Sequence, residues 1–97
     1  MNQKICYAIE NKYILEFSYN GHHCVVEPHA YGLSQRLKKV LLCYQIGGTS
    51  DSGIVPGWKL INVVRISSLT VIYKHFLGER EGYRGVHMSL STIFCEL

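Results

Sequence analysis

Residues 13–28 read Tyr13-Ile14-Leu15-Glu16-Phe17-Ser18-Tyr19-Asn20-Gly21-His22-His23-Cys24-Val25-Val26-Glu27-Pro28. Large side chains occupy every second position of Tyr13–Tyr19, which predicts a half-buried strand. Asn20 and Gly21 tolerate the positive φ angles of a type I′ turn, so a second strand is expected to return from His22. Pro28 has no N–H and a fixed φ, which places that strand at a sheet edge or at a bulge. The segment therefore predicts an antiparallel hairpin.

Outside this hairpin, the chain changes between helical and strand periodicity. Ile5, Ala8 and Ile9 share one face at helical spacing, which predicts a short amphipathic helix over Gln3–Lys12. Further along the chain, the pattern predicts strands at Val40–Ile46, Trp58–Val63 and Thr70–Tyr73, a glycine-rich loop at Gly47–Gly57 and a helical turn at Val64–Leu69.

These elements predict a mainly β fold, a small five-stranded barrel with an amino-terminal α-helix. Short strands separated by turn signals favour a barrel, because closure removes the edges that a flat sheet would expose. The barrel is predicted over residues 1–77. Residues 78–97, with an apolar run at Met88–Phe94, are predicted to form an extension that packs on the barrel or on a second copy of the chain. The predicted core consists of Val26, Leu42, Ile46, Ile61, Val63 and Val71.

The composition favours one ordered domain. The chain has 97 residues, of which 47% are hydrophobic and 18% charged, so it supplies one core and has no length for a second. The net charge of +3 favours phosphates or acidic proteins as partners without requiring them. No apolar segment has the length of a signal peptide or a membrane span, so a cytoplasmic protein without membrane contact is expected.

The cysteine pattern bears on the redox compartment. The chain has four cysteines that lie far apart and no secretion signal, so free thiols in a reducing compartment are expected. Disulfides remain the alternative. The cysteines are Cys6, Cys24, Cys43 and Cys95.

Several short blocks between Ile5 and Phe76 resemble the WYL-domain family in their order and spacing. The resemblance implies an Sm-like barrel that binds ligands, usually nucleic acid or nucleotides. In longer members of that family, such a barrel regulates an attached DNA-binding or effector domain. The blocks are Ala8-Ile9, Phe17-Ser18-Tyr19, Val26-Glu27-Pro28, the strand Val40–Ile46, and Arg65-Ile66 followed by Leu69.

Two positions depart from the pattern of that family. Val40-Leu41-Leu42 stands where the family has Trp-Tyr-Leu, and Val64 stands where the family usually has an acidic residue. The chain has no segment for a winged helix or a helix-turn-helix. The resemblance therefore implies that any regulation acts through a separate effector or regulator protein.

A polar pocket wall is predicted beside Pro28. His29, Glu27 and Tyr31 alternate along the second strand, and this spacing would align an imidazole, a carboxylate and a phenol on one face. The alternative is an ordinary solvated strand face.

Basic residues cluster before the central strand and predict a site for phosphates. Arg offers phosphate oxygens a planar fork, Lys offers a mobile charge, and nearby aromatic rings stack on bases, which is the combination that single-strand binders use. The alternative is solvated loop charge beside core aromatics. The cations are Arg36, Lys38, Lys39, Lys59 and Arg65, and the aromatic candidates are Tyr31, Tyr44 and Trp58.

The sequence does not indicate an enzyme, a cofactor or a metal site. His22, His23 and Cys24 are adjacent and point to opposite faces of a strand, so they do not form the ligand set of a structural zinc site. The serines lack the context of a nucleophile elbow, and the loop Gly47–Gly53 has no Walker lysine.

Two functional hypotheses remain open. The first is a ligand-sensing regulatory module that binds nucleic acid, a nucleotide or another polyanion. The second is a protein-interaction or homodimerisation module whose basic patch is incidental. Binding to single strands that weakens steeply with salt would favour the first, whereas a salt-independent dimer without oligonucleotide affinity would favour the second.

Overall fold

The structure is a computed structural model that describes residues 2–97, and it begins with an amphipathic helix. Helix α1 spans Asn2–Asn11 and buries Ile5, Ala8 and Ile9 completely, as their spacing predicts. The helix ends before Lys12, whose φ of 56° is left-handed. The predicted amino-terminal helix is therefore confirmed.

The first two strands form the predicted hairpin. Strand β1 (Tyr13–Tyr19) pairs antiparallel with β2 (His22–Ser34), with Tyr19 opposite His22. Asn20 and Gly21 have φ angles of 50° and 79°, the left-handed values that a type I′ turn requires. Strand β2 continues six residues beyond Pro28, the end that was expected for it.

The remaining elements follow in chain order. Strands β3 (Lys39–Gly48) and β4 (Gly57–Asn62) precede a 3-10 turn over Val63–Arg65, and strand β5 (Ile66–His75) follows it. Helix α2 (Tyr83–His87) and strand β6 (Leu90–Glu96) complete the described chain. The helical turn is thus shorter than predicted, and the strand after it begins earlier.

The strands form one antiparallel sheet in the order β4-β3-β2-β1-β5, and β6 pairs with the second half of β2. The mainly β fold is confirmed, but the predicted count of five strands is wrong because residues 90–96 add a sixth. Gly32 permits this pairing, since a Cβ at its position would collide with the backbone of Thr92.

The sheet is open, so the prediction of a closed barrel is wrong. Within residues 2–97, no ladder joins β4 to β5, although a turn of only three residues connects them. The Tyr19 side chain takes the place of a partner strand beside the end of β4. Its hydroxyl accepts a hydrogen bond from the Asn62 N–H at 3.2 Å. This opening beside β4 is called the seam below.

Two bulges interrupt the regular pairing of β2 with β3. Gln45 and Gly47 lie opposite Val26 and Val25, so Ile46 is an extra residue on β3. Likewise, Pro28 and Ala30 lie opposite Cys43 and Leu42, which makes His29 an extra residue on β2. The bulge alternative for Pro28 is therefore the one found, because Pro28 lies in an interior strand.

The core lies between α1 and the sheet, with a smaller cluster between β2, β3 and the carboxyl-terminal segment. Of the six predicted core residues, Val26, Leu42, Ile61 and Val63 are buried. Val71 is half-buried against the main cluster. Ile46 is half-buried and belongs to neither cluster, because the bulge turns it out of the alternating pattern.

A disulfide joins the two ends of the described chain. Cys6 in α1 is bonded to Cys95 in β6, with a Cα–Cα distance of 5.7 Å, whereas Cys24 and Cys43 are free and buried. The expectation of four free thiols is therefore wrong for Cys6 and Cys95. Their separation of 89 residues hides the contact, which exists only because β6 returns to β2. No described helix is long and apolar enough to cross a membrane.

Candidate functional site: a cationic groove

The basic residues before β3 lie in an exposed turn at one end of the sheet. Lys38 and Lys39, together with Leu37, Asn62 and Val64, line a groove of about 400 Å³ between the β2–β3 turn and the 3-10 turn. Two further exposed cations, Arg36 and Arg65, lie next to these groove residues in the chain. We call this surface the cationic groove and define it by Arg36, Leu37, Lys38, Lys39, Asn62, Val64 and Arg65.

Hydrogen bonds hold the backbone of the groove, and none of the described carboxylates pairs with its cations. Ser34 holds the turn, because its carbonyl accepts the Leu37 N–H at 2.9 Å and its N–H donates to the Lys38 carbonyl at 2.9 Å. No described carboxylate forms an ion pair with Arg36, Lys38, Lys39 or Arg65. The turn therefore presents charge that no described residue neutralises.

Exposed apolar side chains lie between these charges. Leu37 is 72% exposed and Val64 is 78% exposed. Val64 carries no charge, so it does not oppose an anion here. The groove combines cations with apolar surface, which suits phosphates attached to sugars or bases.

His29 lies elsewhere, in a buried aromatic cluster. Its side chain is 0% exposed, and its ring centroid lies 4.8 Å from that of Trp58, 5.0 Å from that of Tyr83 and 5.6 Å from that of Phe76. Nδ1 lies 2.9 Å from the Glu27 carbonyl, and Nε2 accepts the Arg80 N–H at 3.1 Å. These partners define a neutral ring with the proton on Nδ1, because Nδ1 faces an acceptor and Nε2 faces a donor.

Arg80 closes this cluster from outside. Its guanidinium forms a bidentate pair with Glu27 at 2.7 and 2.9 Å and lies 4.7 Å from the centre of the Tyr44 ring. The Trp58 ring lies 5.4 Å from Tyr44, and its N–H donates to the Glu81 carbonyl. Tyr44 and Trp58, predicted as stacking residues, therefore contact the carboxyl-terminal segment instead of bordering the cationic groove.

Tyr31 and Lys59 lie apart from both groups. Tyr31 is buried in the main core, with its ring 5.1 Å from that of Phe94. The bulge at His29 explains why Tyr31 does not share a pocket wall with it, since an extra residue breaks the alternation. Lys59 donates to the Ser52 hydroxyl and the Ile54 carbonyl at 3.0 and 2.8 Å, which ties it to the loop before β4.

The structure therefore divides the nine predicted site residues into four places. Lys38 and Lys39 line the groove, with Arg36 and Arg65 next to it in the chain, and His29, Tyr44 and Trp58 form one aromatic cluster. Tyr31 lies in the main core, and Lys59 is bonded to the loop before β4. Sequence reasoning missed Arg80 and Tyr83, since no local pattern connects them with Glu27 or His29. Within residues 2–97, no group of three or more His, Cys, Asp or Glu side chains is placed to hold a metal ion.

Comparisons with known proteins do not identify a function, so any functional assignment depends on the residues described above. No family model, no curated protein and no solved structure matches the chain. The WYL resemblance accordingly remains a prediction from the sequence blocks that carry it.

The neutral state of His29 predicts a pH-dependent stability. Burial lowers the pKa of His29 below its usual value of 6.5, because a buried imidazolium would lose its hydration and the bond from the Arg80 N–H. The unfolded chain therefore binds a proton that the folded chain does not, and stability falls as the pH drops below about 6.5. We expect the free energy of unfolding to stay level between about pH 7.5 and 6.5 and to fall below about pH 6.5, by at most about 1.4 kcal/mol per pH unit for one proton, in denaturant titrations from about pH 7.5 to 5.

A matched pair of variants isolates this contribution. His29→Gln should flatten the slope, whereas His75→Gln, at an exposed histidine, should keep it. Equal slopes in the wild type and His29→Gln would show that another group controls the pH dependence.

Proposed function

We propose that this chain is a WYL-like binding module for polyanions, and specifically for single-stranded nucleic acid, whose phosphates contact the cationic groove. The proposal rests on one observation, the exposed cations at the groove. Lys38 and Lys39 line it, Arg36 and Arg65 are chain neighbours of its lining residues, and no described carboxylate forms an ion pair with these four. Guanidinium groups bind phosphate oxygens through a planar fork, and ammonium groups act as mobile point charges. Single strands suit an open groove because their phosphates and bases are both accessible.

We also propose that the open sheet is a variant of the Sm-like barrel that the WYL resemblance implies. Two features support this proposal. Helix α1 precedes β1, and the strands at the two ends of the five-strand path, β4 and β5, are joined by a three-residue turn. The contact between the Asn62 N–H and the Tyr19 hydroxyl bridges β4 and β1 at the point of closure.

Removing the groove charges should weaken binding and reduce its salt dependence. The variant Arg36→Gln/Lys38→Gln/Lys39→Gln keeps most of the aliphatic length and deletes three cations. Each neutralised phosphate contributes about 0.7 to the slope of log K against log salt for a single strand, so this slope should fall by about two. Fluorescence anisotropy of a short labelled mixed-sequence single strand, titrated at several salt concentrations, measures both effects.

The control removes equal charge from other surfaces. Lys12→Gln/Lys74→Gln/Arg84→Gln changes three exposed cations on the turn after α1, on β5 and on α2. The control should keep most of the wild-type slope. Absence of wild-type binding at low salt, or equal losses in the two triple variants, would overturn the proposal.

The alternative function is a protein-interaction or homodimerisation module. The apolar run near the carboxyl end predicts it, and that run is only partly covered within the chain. Strand β6 pairs with β2, but Met88 and Phe94 remain 78% and 46% exposed. Sedimentation of the wild type separates the two functions. A dimer that persists in high salt, without oligonucleotide affinity, would replace nucleic-acid binding with this alternative.

A further inference from the structure

A second cavity lies in the seam, on the other side of the end of β4 from the cationic groove. Its volume is about 180 Å³, and its walls come from the β1–β2 hairpin, β3, β4 and the loop before β4. We call it the seam cavity. The residues used below are Tyr19, Cys24, Gln45, Lys59 and Ile61.

The loop that covers this cavity is anchored by three strands. The His22 ring lies 2.8 Å from the Thr49 hydroxyl and 2.7 Å from a carboxylate oxygen of Asp51. The Gln45 amide nitrogen donates to the carbonyls of Gly47 and Thr49, both at 2.9 Å. Together with the bonds from Lys59, these contacts fix the loop before any ligand arrives, which reduces the entropy cost of binding.

Three polar groups on the cavity wall keep unused hydrogen-bonding capacity. Gln45 is only 1% exposed, and its carboxamide oxygen accepts no hydrogen bond from any described residue. The two carbonyl partners of its nitrogen define the orientation of the amide. The Tyr19 hydroxyl accepts the Asn62 N–H and keeps its own proton, and Lys59 uses two of its three N–H groups.

These groups define the chemistry of the missing partner. Among the described residues, no buried side-chain nitrogen or oxygen lacks a partner, so the Gln45 oxygen is open to solvent in the cavity, and a ligand that displaces this solvent should offer an N–H in its place. Tyr19 and Lys59 offer donors, so the same ligand should carry an acceptor. Cys24 and Ile61 supply apolar wall. At about 180 Å³, the cavity is smaller than the roughly 300 Å³ at which drug-sized pockets begin, so it suits one small ring system.

We infer that the seam cavity binds the donor–acceptor edge of one nucleobase, an N–H beside a hydrogen-bond acceptor, as uracil carries in its ring N–H and C=O. The N–H donates to the Gln45 oxygen, and the C=O accepts from Tyr19 or Lys59. Adenine and cytosine present the same pattern through an amino N–H beside a ring nitrogen, whereas a uracil methylated at its ring N–H has lost the donor. The inference rests on the proposed function for placing the base within a strand.

The position of the cavity supports a base as its occupant. Ile61 lines the seam cavity, and the next residue, Asn62, lines the cationic groove. The Asn62 N–H also bonds to Tyr19 on the cavity wall. A strand with one base in the cavity therefore has its phosphates close to the groove cations, which gives the two sites complementary roles.

Free nucleosides test the cavity without the groove. Uridine titrated into nitrogen-15-labelled protein should shift the side-chain amide signals of Gln45, and 3-methyluridine, which has lost the ring N–H, should bind about tenfold more weakly because it leaves the Gln45 oxygen without a donor. Tyr19→Phe and Lys59→Met should each weaken uridine about threefold to tenfold. Tyr73→Phe, on an exposed ring outside the cavity, should leave uridine binding unchanged. Two cavity variants keep the test valid if one of them disturbs folding.

The outcomes separate this inference from the proposed function. Equal binding of uridine and 3-methyluridine, or no shift at cavity residues, would mean that no base donates to Gln45 and would overturn the inference. An abasic oligonucleotide probes the groove alone. If the abasic oligonucleotide binds in a salt-dependent way and uridine does not bind, the proposed function stands and the cavity assignment is wrong. Uridine binding without any oligonucleotide binding would support the cavity assignment and overturn the proposal that the protein binds single-stranded nucleic acid.

Discussion

Replacing Cys6 and Cys95 together with serine should lower the free energy of unfolding by about 4 kcal/mol. The disulfide closes a loop with a sequence separation of 89 residues. In the chain-entropy account, such a loop restricts the unfolded chain strongly, with about 3 kcal/mol for a 15-residue loop and about 4.7 kcal/mol for a 100-residue loop. This is a large share of the roughly 5 to 15 kcal/mol that stabilises a typical domain. Guanidinium denaturation of the oxidised wild type and the double variant measures the difference.

Reductant provides the internal control for this prediction. It should lower the stability of the wild type to that of the double variant and leave the double variant unchanged. Thiol titration of the denatured, unreduced wild type should count two thiols, from Cys24 and Cys43. Four thiols, or equal stability of the oxidised wild type and the double variant, would show that the bond does not form.

The features that the sequence predicts correctly depend on neighbouring residues. Asn20-Gly21 defines the first hairpin because the turn geometry is a property of those two residues. The helical spacing of Ile5, Ala8 and Ile9 likewise identifies the buried face of α1. The exposed cations of the β2–β3 turn follow from the polar segment that separates two apolar runs.

The features that the sequence does not predict depend on distant residues. His29 lies in an aromatic cluster because a single-residue bulge changes the direction of its side chain. The alternation of apolar residues in the sequence does not predict where such a bulge occurs. Arg80 pairs with Glu27 across 53 residues, and Cys6 bonds to Cys95 across 89. All three contacts depend on how the carboxyl-terminal segment returns to the sheet, which no local pattern specifies.

The seam cavity was missed for a related reason. Its unused groups, on Tyr19, Gln45 and Lys59, come from three different strands, and only Lys59 was a predicted site residue. A closed barrel was expected, and closure would leave no seam. The open edge of β4 leaves room for a cavity at Lys59, which the sequence predicts as a cation for phosphates.

Leu42→Ala should lower the free energy of unfolding by about 2 to 5 kcal/mol. Leu42 is 2% exposed and packs in the smaller cluster with Ala30, Val40, Tyr83 and Leu90. Truncation removes apolar contacts and leaves a cavity that surrounding strands fill only partly. Because this cluster joins β2 and β3 to α2 and β6, the loss should also loosen the carboxyl-terminal segment.

The matched control is Leu77→Ala, because Leu77 is fully exposed and the side-chain change is the same. The control should stay within about 0.5 kcal/mol of the wild type, as surface substitutions usually do. For a domain of this size, the Leu42 loss corresponds to a fall in Tm of at least about 8 °C, which calorimetry resolves easily. If Leu42→Ala cost less than about 0.5 kcal/mol, the smaller cluster would not be a packed core, and the contacts that hold Arg80 over Tyr44 would lack its support.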